Sequence, residues 1–125
     1  MLPQQTHGAR LVEIVTGLED LENCDGVWTT DPQFTLGIKT ADCAPIAFYD
    51  SDKYGIIHAG WRGLCNGIVE NMCKVFFPDS VPTHVKTQIW VGPILPLFEI
   101  QKDDCYDQIQ AKFGDQFFVE KSGKI

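Results

Sequence analysis

Residues 40–63 read TADCAPIAFYDSDKYGIIHAGWRG, and this stretch decides the fold. Two runs rich in apolar and β-branched residues, 45–49 and 54–58, lie on either side of the polar sequence DSDK, a pattern typical of two strands joined by a turn. Glycines at 60 and 63 end the strand pattern, and a helical periodicity follows. The stretch therefore predicts a strand, a turn, a second strand and a helix.

Further strands are predicted on both sides of this stretch. The same criteria give strand candidates at residues 10–15, 27–30 and 34–39 before it, and at residues 87–91 after it. Strands that dominate the first half, with helices interspersed later, indicate an α+β class. We therefore expect an α/β sandwich with a mixed β-sheet and flanking helices.

Two helices are predicted from apolar residues that recur every three or four positions. The first covers residues 63–76, and the second begins after Lys102, with Asp103 and Asp104 near its positive end. The apolar stripe of the first helix is Cys65, Val69, Met72 and Phe76, and that of the second is Tyr106, Ile109, Phe113 and Phe117.

Length and charge limit the class of protein. With 125 residues, the chain has room for one domain, residues 1–125. Acidic residues outnumber basic ones by 17 to 10, for a net charge of −7, which argues against binding nucleic acid or an anionic membrane surface. No apolar run approaches the roughly 20 residues of a membrane span, and the first ten residues lack the plan of a signal peptide. We therefore expect a cytoplasmic protein.

The five cysteines favour reduced thiols. Their number is odd and no C-x-x-C pair occurs, so neither a disulfide framework nor a zinc ribbon is indicated. We expect Cys65 and Cys73 to be buried on the first helix, and Cys24, which precedes an apparent turn at residues 25–26, and Cys105 to be exposed or structural.

Three residues with metal-binding side chains lie at chain reversals beside predicted strands. His7 lies in QTHG, Cys43 in KTADCAP and His58 in HAGWRG. One thiolate and two imidazoles suit Zn²⁺, and three protein ligands leave a fourth position open, as in catalytic zinc sites. Each residue is equally compatible with a packed or solvated side chain, so both interpretations stay open at this point. His84, in VPTH, is expected to be a loop histidine.

Five segments, in this order and spacing, resemble the YfiH family, also called the multicopper polyphenol oxidase or laccase-like family and the purine nucleoside phosphorylase family. They are residues 5–8, 25–30, 40–45, 58–63 and 92–94. The resemblance implies that His7, Cys43 and His58 bind one zinc ion. It also implies a fold similar to the catalytic domain of cytotoxic necrotizing factor.

The same resemblance implies an enzyme that uses a nucleoside and phosphate. Family members are associated with phosphorolysis of adenosine, inosine, guanosine and methylthioadenosine, and with adenosine deamination. We expect His7, Cys43, His58 and Arg62 to form the catalytic set. Arg62 follows Trp61 at a predicted helix start, where its planar guanidinium can hold phosphate. A surface ion pair is the alternative interpretation of Arg62.

Other functions remain open. A multicopper centre needs more imidazoles than the three histidines present, although one copper ion can occupy the three-residue site in vitro. Cys43 and His58 are also the nucleophile and base expected of a metal-free hydrolase, including one that edits peptidoglycan precursors. A polyphenol oxidase and an inactive metal-binding fragment complete the alternatives.

The chain is shorter than the family pattern. The family's segments before Q-x-H-G and its C-terminal motif with serine and arginine have no counterpart, and ILPLF at residues 94–98 replaces the family's cysteines. Missing strands would leave sheet edges open, so self-association is expected.

Overall fold

The sheet is mixed and has five strands. The computed structural model describes residues 1–78 and 86–120. The strands are β1 (Leu11–Glu13), β2 (Gly26–Thr29), β3 (Ala44–Tyr49), β4 (Tyr54–Ala59) and β5 (Gln88–Val91). Their order across the sheet is β1-β2-β4-β3-β5, with β1 parallel to β2 and every other pair antiparallel.

The described residues form three helices beside this sheet. They are α1 (Trp61–Cys65), α2 (Ile68–Phe76) and α3 (Asp104–Phe113), and a short 3₁₀ helix (Asp115–Phe117) follows α3. The expectation of a mixed sheet with flanking helices is confirmed. None of the helices in the described residues has the length and apolar character needed to cross a membrane.

Strands β3 and β4 form the hairpin that residues 40–63 predict. Tyr49 pairs with Tyr54 beside the turn. The buried Asp50 carboxylate closes the turn by accepting hydrogen bonds from the backbone N–H groups of Asp52 (2.8 Å) and Lys53 (2.9 Å), and the Lys53 ammonium lies 3.2 Å from its other oxygen. The turn therefore fixes the register of the whole hairpin.

Side chains that alternate along β4 enter separate apolar clusters on the two faces of the sheet, as expected for a strand with a period of two. Ile57 joins a cluster with Phe48 of β3 and with Ile68, Met72 and Phe76 of α2. Ile56 instead packs against a second cluster formed by Ile14, Cys24 and Val27. The centre of the sheet is thus covered by α2 on one face and by the N-terminal loops on the other, whereas β5 at the edge is exposed.

The predicted strand at residues 34–39 is wrong. These residues have no regular secondary structure, although Phe34 and Leu36 pack against the second cluster. The backbone here bonds to the chain terminus instead: the Met1 ammonium donates to the Thr35 carbonyl (2.6 Å), and Gly37 N–H donates to the Met1 carbonyl (3.0 Å). The apolar residues alternate in this segment because they pack against the second cluster, and not because they form a strand.

The predicted helix at residues 63–76 is two helices, because the chain breaks at Gly67. This glycine has φ +91°, a left-handed conformation that side chains disfavour. The second predicted helix is confirmed, and the Asp103 carboxylate caps it by accepting from the N–H groups of Cys105 and Tyr106. The helix nevertheless ends at Phe113, so Phe117 lies in the 3₁₀ helix.

Two of the cysteines, Cys65 and Cys73, differ from expectation in their burial. Both are half-buried and not buried: Cys65 ends α1, before the break at Gly67, and Cys73 lies beside the buried residues of α2. Cys24 is fully buried, and residues 25–26 do not form a turn, because Gly26 begins β2. All five cysteines are free thiols. The prediction for His84 falls outside the described residues.

Acid stability should depend on Glu19. Its carboxylate accepts hydrogen bonds from the N–H groups of Val15, Thr16 and Gly17. Those from Thr16, first, and from Val15 lower its pKa from 4.5 to about 2. A lowered folded-state pKa contributes stability above the unfolded value that is lost as the pH falls toward the folded value. Glu19→Gln should therefore lower the melting temperature above about pH 5, and the difference from wild type should vanish by about pH 2.

Thermal melts across this pH range provide the measurement. Glu22→Gln, at an exposed glutamate of the same region, is the matched control and should show no such pH-dependent gap. Equal gaps at pH 7 and pH 2 for Glu19→Gln would contradict the assignment.

Candidate metal centre

His7, Cys43 and His58 come together at one end of the sheet. Their potential ligand atoms, one ring nitrogen from each histidine and the Cys43 sulfur, all lie within 4.8 Å of one another. His7 lies in the loop before β1, Cys43 immediately precedes β3, and His58 lies near the end of β4. His58 is buried, Cys43 is half-buried and His7 is exposed. One side of the cluster therefore lies against the protein interior, and the other side is open to solvent.

The register of the β3–β4 hairpin explains why Cys43 lies close to this end of β4. Ala44 pairs with Ala59, so the preceding Cys43 and the following Gly60 face each other where the two strands end. A Cβ atom on Gly60 would lie 3.2 Å from Cys43 Sγ and 3.0 Å from His7 Cδ2. Glycine at position 60 therefore leaves the space in which the two side chains approach each other.

Asp25 is the residue of this site that sequence analysis missed. It is completely buried, and its Oδ2 atom lies 2.8 Å from His58 Nδ1. The same oxygen accepts a hydrogen bond from the His7 N–H (3.0 Å), while Oδ1 accepts from the N–H groups of Thr6 and Gly8 (2.9 Å each). One carboxylate thus joins the loop that carries His7 to the strand that carries His58.

The Asp25 contact fixes the tautomer of His58. Burial raises the pKa of the Asp25 carboxyl, but hydrogen bonds from His58 and from the three backbone N–H groups outweigh burial and lower the pKa below its usual value. A carboxylate at Nδ1 favours the tautomer that carries its proton on this nitrogen, and in that tautomer the Nε2 lone pair is available to a ligand. A carboxylate behind a histidine is the usual support of a metal-binding imidazole.

Asp25 also stabilises an unusual backbone conformation at His7. The φ angle of His7 is +62°, in the left-handed region that non-glycine residues rarely adopt. Three successive N–H groups, those of residues 6–8, point at the same carboxylate in this conformation. The His7 ring then meets the His58 ring edge-on, with centroids 4.9 Å apart.

A groove of about 770 Å³ opens over the cluster. This volume lies in the range of roughly 300–1,000 Å³ that is common for small-molecule sites. The N-terminal residues form one wall and the loop before β3 forms the other. The lining residues are Leu2, Pro3, Gln4, Gln5, His7, Lys39, Thr40, Ala41, Asp42, Cys43 and His58.

Arg62, the fourth predicted catalytic residue, is not among the described residues that line this groove. It is exposed in the first turn of α1, and its guanidinium carbon lies 4.6 Å from the centre of the Trp61 ring. The structure therefore brings together three of the four predicted residues. Arg62 instead stacks on its neighbour.

The donor set is suited to a transition metal. Two neutral imidazoles and one thiolate are ligands that Zn²⁺ and copper accept, and a hard ion such as Mg²⁺ prefers oxygen. The chain supplies three donors, and the open side of the cluster leaves room for a further ligand. Fold and site together define a candidate metalloprotein with an accessible metal position.

The chain belongs to the family described as multi-copper polyphenol oxidoreductase laccase, whose model matches residues 1–124. A purine nucleoside phosphorylase of Staphylococcus epidermidis is 36% identical to it over 136 aligned positions, which cover 99% of this chain and 50% of that protein. A purine nucleoside phosphorylase of Aquifex aeolicus is 34% identical and covers 99% of this chain and 57% of that protein. The resemblance to the YfiH family is thereby confirmed.

Solved structures of the family share the fold. The crystal structure of the Bacillus licheniformis hypothetical protein YfiH matches with a TM-score of 0.78 at 26% identity, over 93% of this chain and 48% of that one. The Neisseria meningitidis protein NMB0706 matches with a TM-score of 0.74 at 25% identity, over 90% and 46% of the two chains. The chain thus spans about half the length of these relatives.

Replacement of Asp25 by asparagine should weaken metal binding. The amide oxygen is expected at the Oδ1 position, where two N–H groups point, so the NH₂ group would face His58 Nδ1 and donate to it. His58 would then carry its proton on Nε2, the nitrogen that a metal needs. Zinc affinity, measured by competition with a chromogenic chelator, should fall by about 10- to 100-fold.

Asp52→Asn is the matched control, because Asp52 is exposed in the β3–β4 turn at the opposite end of the hairpin. It should bind zinc as wild type does. Circular dichroism of both metal-free variants separates loss of the site from loss of the fold. Wild-type affinity in a folded Asp25→Asn protein would show that Asp25 does not support the ligand.

Gly60→Ala tests the close approach of Cys43 and His7. The added methyl group would press on Sγ and on the His7 ring edge, and the exposed His7 ring is free to move away. We expect zinc affinity to fall by roughly an order of magnitude, as when the support of a metal ligand is disturbed. Gly8→Ala is the control, since its Cβ would make only ordinary contacts at 3.7 and 3.8 Å. Equal zinc affinity of the two variants would contradict this role of Gly60.

Proposed function

We propose that the chain binds one Zn²⁺ ion through His7, Cys43 and His58 and acts in the phosphorolysis of purine nucleosides. The observation that carries the proposal is the convergence of the three donors within 4.8 Å, with Asp25 behind His58. The names of the Staphylococcus epidermidis and Aquifex aeolicus relatives support the substrate class. Because the chain spans about half of each relative, the activity of the whole protein is itself part of the proposal.

The reaction exchanges one bond for another at the ribose. A phosphate oxygen attacks C1′, the bond from C1′ to the purine nitrogen breaks, and its electron pair leaves with the base, which takes up a proton. Bound zinc supplies a Lewis acid that polarises a substrate oxygen. The protein's own contribution is to hold the donors in place, to bind the nucleoside in the groove and to neutralise the incoming phosphate.

The groove offers groups suited to a nucleoside. Leu2 and Pro3 provide apolar contact for a purine face, while the side-chain amide of Gln4 offers hydrogen bonds to its polar edge. Adenosine deamination at the same centre is a second reaction that the family resemblance implies, and it is distinguished by release of ammonia. We place either reaction in the cytoplasm, where free thiols such as those of this chain persist.

A metal-free hydrolase is less well supported than a metal centre. A nucleophilic cysteine needs a lowered pKa, but burial, followed by the charges of Asp42 and Asp25, raises the pKa of the Cys43 thiol. The Nδ1 atom of His58 is occupied by Asp25, and His58 shares its cluster with both the Cys43 thiol and a second imidazole, that of His7. Two imidazoles around one thiol form a ligand set, whereas a cysteine hydrolase needs only one.

The laccase description of the family favours copper as an alternative metal. Coupled copper centres require more imidazoles than the three of this sequence, and His7, Cys43 and His58 form the single three-donor cluster found within residues 1–78 and 86–120. A single copper ion at these donors remains the relevant alternative, because Cu²⁺ binds most such sites more tightly than Zn²⁺. Oxidation of a phenol by a copper-loaded sample tests it directly.

The decisive experiment combines elemental analysis with a nucleoside assay. Protein loaded with one equivalent of zinc should release free base from adenosine or inosine only when phosphate is supplied, as followed by chromatography. His58→Ala should lower the rate at least 100-fold, the low end of what loss of a metal ligand or an essential catalytic group costs. Cys73→Ala, at a half-buried cysteine on α2, is the matched control and should retain activity.

Each outcome has a defined meaning. Base release that needs phosphate and zinc supports phosphorolysis, and ammonia release without phosphate supports deamination. If a folded, zinc-loaded sample releases neither base nor ammonia from any purine nucleoside, this function is wrong for the chain.

A further inference from the structure

Lys39 lines the groove that opens over the metal-binding cluster. Among the described residues that line this groove, no other is a lysine or an arginine. Its side chain is exposed, and its ammonium forms no ion pair with any residue in the described part of the chain. Its charge is therefore available to a ligand.

The backbone of Lys39 is fixed in place at the rim. The Gln5 side-chain amide forms two hydrogen bonds with this backbone: Lys39 N–H donates to Gln5 Oε1 (2.7 Å), and Gln5 Nε2 donates to the Lys39 carbonyl (2.6 Å). The following residues turn toward the cluster, and the Thr40 hydroxyl donates to the Cys43 carbonyl (2.5 Å). The loop that positions Cys43 thus also positions Lys39, at a fixed place on the same groove.

Arg62 is the competing cation. Its guanidinium lies over the Trp61 ring, 4.6 Å from the ring centre, and the lining of the groove does not include it. To reach a ligand in the groove, Arg62 would have to leave this stacking contact. Lys39 already lines the groove and needs no such change.

We propose that Lys39 binds a phosphate oxyanion in the groove, beside the three metal-binding side chains. The proposal rests on the proposed function and assigns to Lys39 the phosphate contact that the sequence suggested for Arg62. A lysine is a compact cation well suited to phosphate oxygens. Asp42, on the same groove, repels an anion and so favours its binding at the Lys39 end.

Two sources can supply this oxyanion, namely inorganic phosphate and the phosphate group of a nucleotide. Isothermal titration of zinc-loaded protein with inorganic phosphate, and separately with adenosine 5′-monophosphate, distinguishes them. Inorganic phosphate bound with a Lys39-dependent affinity points to the co-substrate of phosphorolysis. Lys39-dependent binding of the nucleotide alone points to a phosphorylated substrate.

The variants test whether binding of the oxyanion depends on the charge of Lys39 itself or on the total positive charge of the protein. Lys39→Gln should weaken binding of the oxyanion roughly tenfold or more, the loss expected when a charged hydrogen bond is removed. Lys39→Arg keeps the charge and should retain most of the affinity. Lys74→Gln removes an exposed lysine on α2, outside the groove, and should bind as wild type does. All samples are matched for zinc content by elemental analysis.

The binding experiment does not depend on turnover, so it is distinguishable from the test of the proposed function. If phosphate binds and Lys39→Gln weakens it, the inference stands even where no base is released. The inference is overturned if Lys39→Gln binds both anions as tightly as Lys74→Gln does, if neither anion binds the zinc-loaded protein, or if Arg62→Gln and not Lys39→Gln abolishes binding.

Discussion

The site depends on one buried carboxylate. Asp25 is fully enclosed, and an isolated buried charge would be strongly unfavourable, but four donors converge on its two oxygens. Three of these donors are backbone groups of the loop that carries His7, and the fourth is the His58 ring. The carboxylate therefore organises the backbone at His7 and the tautomer of His58 together. Without it, the left-handed conformation of His7 would lose its support, and the two imidazoles would no longer be held by a common partner.

The donors of this site are predictable from sequence and Asp25 is not, for a physical reason. Cysteine and histidine are rare, and their glycine-flanked positions beside predicted strands point to chemistry without knowledge of the fold. Aspartate before glycine is instead a common turn signal. Its contact with His58 follows from the pairing of Gly26 with Ile57, which places the preceding Asp25 opposite His58. Strand register depends on which strands pair in the folded protein, and the pattern of neighbouring residues in the sequence does not specify it.

The same distinction separates the correct and incorrect parts of the predicted fold. Each of the five strands lies where a short apolar run with flanking turn signals was found, since side-chain alternation is local. The run at residues 34–39 has a similar pattern, but its neighbour is the N-terminal loop around Met1, so the apolar residues are buried without a strand partner. Gly67 interrupts a helical pattern that continues on both sides, and periodicity alone does not report the left-handed φ at that position.

The charges around the groove set an order for the proposed events. Before a cation is present, the Asp42 carboxylate lines the groove, the Asp25 carboxylate is buried behind His58, and the chain as a whole carries −7. This field attracts a divalent cation and opposes a phosphate, against which Lys39 offers one positive charge. Binding of a dication at the three donors removes this negative balance, because it adds two positive charges and loss of the Cys43 thiol proton takes back only one. Under the proposed function, metal and oxyanion therefore bind cooperatively, with the metal first and with Lys39 at the site where the anion enters.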